Sequence, residues 1–201
     1  MLDQQPPTRY NQFLKIATWF EGGLILVAYG IGWAVSINPL AHIGFSPMAL
    51  VWGVVGTLPL YLLFALSYNL PWGSMRAVRN FLVEKLGPFL SHYRWQELLY
   101  LGFLAGISEE ILFRGLLQPW FEQNWGWIGG IVFSNLVFAL VHWVTPLYAL
   151  LAGLTGVYLG VALDVGGERN LVVPILIHAI YDFMAFIAVA QTYRREKSRP
   201  F

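Results

Sequence analysis

Cysteine is absent from the chain, which excludes disulfides, a thiolate nucleophile and a zinc site built on cysteine. Charge is scarce. Only 11% of residues are charged, against about 25% in an average soluble domain. The net charge is +1, and no basic face with interleaved aromatics is present, so nucleic acid is not an expected partner. There is no internal repeat and no low-complexity segment. What fills the chain is apolar: 57% of residues are hydrophobic and the mean hydropathy is +0.58. Long apolar runs with the charge gathered between them indicate one polytopic membrane domain over residues 1–201, an all-α helix bundle with the lipid bilayer as its partner.

Six stretches have the length to cross a bilayer as helices. They lie near 18–37, 46–68, 97–118, 125–145, 146–164 and 170–190. Pro59 falls in the second and Pro174 in the sixth; glycine and proline are ordinary in such helices. Of twelve Lys and Arg residues, Arg9 and Lys15 precede the first stretch. Arg76, Arg79, Lys85 and Arg94 fall between the second and third, and Arg194, Arg195, Lys197 and Arg199 follow the sixth. Six crossings put these ten on one side and leave only Arg169 opposite, with Arg114 inside a span. That asymmetry predicts cytoplasmic N- and C-termini, at 1–17 and 193–201, the second of them disordered. The stretch from 75 to 95 reads as an amphipathic helix at the cytoplasmic interface or as a packed connector. Glu21 and the long polar lead argue against a cleaved signal peptide. The bacterial inner membrane is the expected location, a thylakoid membrane the alternative.

Charge inside a bilayer costs several kcal/mol unless it is paired, hydrated or neutralised, so its presence points to use. Glu109 and Glu110 sit together in the third stretch. Glu110 and Arg114 are four residues apart and share a helix face, so the arginine is expected to pair with Glu110. Glu109 is turned by about 100° and is left available as a general base. Ser108 reads as a small packing residue. In the fourth stretch Phe138 and His142 share a face. In the sixth, His178 and Asp182 do the same, and Asp182 either orients the imidazole or meets a water or carbonyl itself. Carboxylates and imidazoles converging in this way suit the activation of water against a carbonyl. The linear positions put His142 several ångströms nearer the cytoplasmic end than His178, a gap that helix tilt has to close.

These residues also form three ordered motifs: Glu109-Glu110-Ile-Leu-Phe-Arg114 fits EExxxR, Phe138-Ala-Leu-Val-His142 fits FxxxH, and His178-Ala-Ile-Tyr-Asp182 fits HxxxN/D. Their order and spacing resemble the CPBP intramembrane proteases, which include CAAX prenyl endopeptidases and bacteriocin-processing or immunity proteins. The resemblance covers about 97–190. It implies that Glu109 and His142 activate water, that His178 and Asp182 stabilise the oxyanion, and that Glu110, Arg114 and Phe138 support them. The implied substrate is a membrane-associated protein or peptide, prenylated or not. A charged Asp182 donates no hydrogen bond, so its implied role requires a protonated carboxyl or the orienting of His178. No cofactor is favoured; a Zn²⁺ ion on His142, His178 and Glu109 is the alternative, since two histidines and a carboxylate suffice for one. HExxH is absent. Two competing functions stand beside the endopeptidase: a non-proteolytic scaffold or immunity factor of the same fold, and a small proton-coupled transporter.

Overall fold

The computed structural model describes residues 7–198; the outermost parts of both polar termini, 1–6 and 199–201, lie outside it. Its helices are α1 (Pro7–Ala34), α2 (Pro47–Tyr68), α3 (Gly73–Lys85), α4 (Gly87–Leu90), α5 (Trp95–Leu112), a π-helical turn (Phe113–Leu117), α6 (Gln118–Val141), α7 (Pro146–Ala162) and α8 (Val172–Lys197). Among the described residues there is no strand.

Local chemistry sets several of these boundaries. Ser46 and Thr145 each precede a proline, and each side-chain hydroxyl accepts the backbone N–H of the residue three further on, Ala49 and Tyr148, both at 3.1 Å. Such a cap satisfies an orphan donor of the first turn, and the proline has no donor to lose. Pro59 lies inside an unbroken α2, and Pro174 falls in the first turn of α8.

The chain reverses direction inside α6. Trp125 leaves helical geometry and Gly126 adopts φ +70°, a region open to glycine and strained for other residues. The second leg of α6 then runs back along the π-helical turn and α5. Phe113 meets Phe138 edge-on at 4.8 Å, Arg114 reaches Asn135, and Glu109 reaches His142. The third and fourth apolar stretches are therefore the two legs of one hairpin within Trp95–Val141.

Helix α8 is central, flanked by α5 and α2. Close approach to α5 needs Gly102 and Gly106: a Cβ there would meet the Ala179 carbonyl oxygen at 2.7 Å and the Ala179 nitrogen at 2.8 Å. Helices approach this closely in membranes where small residues line the contact.

Four described helical stretches are long and apolar enough to cross a membrane: Arg9–Ala34, Pro47–Tyr68, Trp95–Val141 and Val172–Lys197. α7 is apolar but has 17 residues. Large apolar side chains point outward along them, among them Trp19, Leu26, Leu62, Ile128 and Leu154. Extensive apolar exposure on long apolar helices is what lipid contact produces. The chain is thus an all-helical membrane bundle.

Three expectations are corrected in detail. The first helix begins at Pro7, not near 18, so most of the polar N-terminal segment is helical. The fourth stretch ends at Val141, with His142 capping it. The C-terminal tail is helical to Lys197 rather than disordered from Tyr193. Basic residues in its last turn suit the helix dipole, the Arg194 guanidinium donates to the Ser91 carbonyl at 3.0 Å, and Glu196 pairs with Arg79 at 2.6 Å.

Candidate active site

The site is built on an i,i+4 pair in an unusual backbone. Arg114 sits in the π-helical turn that continues α5, a distortion frequent at functional sites. Its Nη1 donates to Glu110 Oε1 at 2.9 Å, and both side chains are fully buried. Nη2 donates to Asn135 Oδ1 at 3.0 Å and to the Gly156 carbonyl at 2.6 Å. One guanidinium thus binds α5, the returning leg of α6 and α7 together. A Cβ on Gly156 would collide with Asn135, which explains the glycine there.

Glu110 does more than the sequence indicated. Its Oε1 also lies 2.8 Å from His178 Nδ1. A carboxylate held ionised by Arg114 accepts, so Nδ1 carries a proton and Nε2 is turned towards Asp182 Oδ2 at 3.6 Å. The group that fixes His178 is therefore Glu110 on α5, not the intrahelical Asp182.

Glu109 faces the other way. Its Oε2 is 3.8 Å from His142 Nε2 and has no hydrogen-bond partner among the described residues. His142 Nδ1 lies 2.9 Å from the Phe138 carbonyl. A carbonyl oxygen only accepts, so Nδ1 carries a proton, and in the neutral ring Nε2 presents its lone pair beside Glu109. Phe138 stacks on His142 at 4.3 Å and stands 6.3 Å from His178. The gap between the two histidines is thus bridged by one phenyl ring.

Glu109, Phe138, His142, His178 and Asp182 line one cavity of about 340 Å³. Glu110 and Arg114 lie behind its wall. The cavity continues past apolar side chains of α2 and α8 to Met75, Val78, Arg79 and Leu82 on α3. Glu21, Tyr148 and Tyr181 line it too, and sequence reading missed all three. Ser108 is more than a packing residue: its hydroxyl lies 2.5 Å from Glu21 Oε2 and 2.8 Å from the Leu104 carbonyl. Asn135 and Gln118 were missed as well. A signal existed for Gln118, because Glu110, Arg114, Gln118 and Glu122 recur every four residues, and Gln118 Nε2 donates to Glu122 Oε1 at 3.1 Å.

Among the described residues no three His, Asp or Glu side chains are grouped as a metal would require. Both ring nitrogens of His178 already face carboxyl groups.

Residues 91–184 match the family model described as Rce1-like, type II CAAX prenyl endopeptidase Rce1-like. The match spans just under half of the chain and contains all three motifs, in agreement with the CPBP resemblance. Comparisons with curated proteins and with solved structures return no match.

Proposed function

From this Rce1-like segment, we propose that the chain is an intramembrane endopeptidase in which Glu109 and His142 activate water. The matched family is one of proteases, which supports a peptidase; substrate and mechanism are the reading argued here. The observation that carries it is the juxtaposition of Glu109 Oε2 and His142 Nε2, two acceptors 3.8 Å apart on one cavity wall. A water between them donates one hydrogen to each, leaving a lone pair for a substrate carbonyl. Glu109 takes the proton as the bond forms.

His178 and Asp182, on the same cavity, face the developing oxyanion. His178 Nε2–H donates when both ring nitrogens are protonated, and Asp182 donates as a neutral carboxyl. Such donors act strongly where water is excluded. Glu110 and Arg114 hold His178 and the α5–α6 hairpin in place. No metal is needed for these steps.

The substrate is a membrane-associated peptide. Leu60, Leu63, Phe64, Leu86, Phe186 and Val189 give the cavity an apolar wall, which supports a prenylated or similarly apolar segment. The termini are placed in the cytoplasm on the distribution of Lys and Arg, and the bacterial inner membrane is the proposed location. The unbroken helix at Pro59 and the absence of paired broken helices among the described residues give no support to a transporter.

The test is cleavage of membrane-anchored, prenylated and unprenylated reporter peptides by purified protein, with and without chelator. Chelator-resistant cleavage is expected. Absence of cleavage of any peptide supports the scaffold or immunity reading, and chelator-sensitive cleavage contradicts the metal-free mechanism.

A further inference from the structure

The cavity holds one more carboxyl than the proposed mechanism uses. Glu21, on α1, lines the same cavity as Glu109 and Asp182. Its Oε2 is tied to Ser108 at 2.5 Å, and Ser108 directly precedes Glu109 in α5. A second cavity of about 150 Å³, otherwise apolar, lies between α1, α4, α5 and α8, and its wall includes Phe13, Leu90, Leu101 and Leu104. Glu21, Leu86, Ala105 and Phe186 line both cavities. Among the described residues, Glu21 is therefore the one acidic group on the wall that the two cavities share.

Charge balance then constrains its state. Four carboxyls, Glu21, Glu109, Glu110 and Asp182, belong to this buried cluster. Three basic groups are in hydrogen-bond or ion-pair contact with them, Arg114, His178 and His142; His142 is neutral when its Nε2 accepts from water, which leaves two cations, Arg114 and a charged His178. Uncompensated charge in such an interior is avoided by neutralisation. Two carboxyls therefore hold protons. Glu110 is fixed as a carboxylate by Arg114, and a water-activating Glu109 must be ionised, so the protonated pair is Glu21 and Asp182. The contacts of Ser108 accommodate this: with its hydroxyl proton on the Leu104 carbonyl at 2.8 Å, a protonated Glu21 donates to the Ser108 oxygen across the 2.5 Å contact.

We propose that Glu21 is the general acid of the reaction, the group that protonates the departing amine; this rests on the endopeptidase reading above. When the tetrahedral intermediate collapses, the C–N bond breaks and its electron pair stays on nitrogen. That nitrogen takes the Glu21 proton, leaving Glu21 a carboxylate. The proton Glu109 removed from water then passes to Glu21 through water in the cavity and restores both groups. The amine product departs on the α1 side, into the smaller cavity. Pairs of acids in different surroundings divide base and acid work in this way.

The experiment compares Glu21→Gln, in the full-length chain, on two matched membrane-anchored substrates. One is a peptide amide; the other is the corresponding ester with a nitrophenolate leaving group, which departs without a proton. Glutamine keeps the size of the side chain and a hydrogen bond to Ser108, but it has no proton to give. The expected result is a fall in amide kcat of about 10²–10⁴-fold, the range for loss of an acid–base group, with ester turnover within a few-fold of wild type. Partial unfolding lowers both rates together, so their ratio reads chemistry alone. Equal losses on both substrates, or an unchanged amide rate, overturn the proposal. The same assay separates the underlying reading: Glu109→Gln must lose both substrates, and a wild-type chain that cleaves neither removes the endopeptidase reading and the acid role with it.

Discussion

Arg114 and Glu110 meet at 2.9 Å with neither side chain exposed, and Arg114 also donates hydrogen bonds to Asn135 and the Gly156 carbonyl. Removing one partner of a buried pair leaves the other charge uncompensated, at a cost of about 3–5 kcal/mol. Arg114→Ala is therefore expected to lower stability by that amount, measured by unfolding in detergent. The double variant Glu110→Gln/Arg114→Met should recover part of the loss. A single variant as stable as wild type contradicts this structural role.

Asp182 gives a second expectation. If it works as a neutral carboxyl, Asp182→Asn retains a donor of the same shape, and its kcat should stay within about tenfold of wild type. Asp182→Ala loses the donor and should fall by about 10²-fold or more, as for removal of an oxyanion-stabilising donor. Equal damage from both variants rejects hydrogen donation by this residue.

In the segment between α7 and α8, Arg169 binds Asp164 at 2.9 Å and reaches Glu122 of α6 at 2.6 Å. Hydrogen bonds from Arg169 hold the Asp164 carboxyl below its usual range. A lowered folded-state value means that the contribution is complete above the ordinary carboxylate range and is lost as pH falls through the lowered value. Wild-type melting temperature should therefore drop on acidification by more than that of Asp164→Asn. The pair is partly exposed, so the effect is modest and screened by salt. Parallel pH profiles for the two proteins contradict it.

Orientation is testable because the chain contains no cysteine. Single cysteines placed at Lys197 and at Gly167 should react from opposite sides of sealed vesicles, with position 197 labelled only from the cytoplasmic side. Labelling of both from one side overturns the six-crossing topology.

Much of this architecture was legible because it is local. The spacing of Glu110 and Arg114 fixes a shared helix face in any helix, and their contact follows. The apolar runs gave the membrane helices because bilayer thickness sets their length. What was hidden depends on distant residues. Glu21 and Ser108 are 87 residues apart, and no periodicity links them. Glu110 reaches His178 only because glycines at 102 and 106 bring α5 against α8. The π-helical turn has no local composition signal, and the reversal at Gly126 reads from sequence as one glycine among many. The C-terminal tail looked too polar to order; its partners, Ser91 just after α4 and Arg79 on α3, are distant in sequence.

The central claim is that Glu109, assisted by His142, takes a proton from water in a cavity shared with His178. The most direct measurement is kcat/KM for a cleaved membrane-anchored peptide in Glu109→Gln and His142→Ala, each shown by unfolding to be folded. The account predicts a loss of at least about 10²-fold in each. Undiminished cleavage by both folded variants would contradict it.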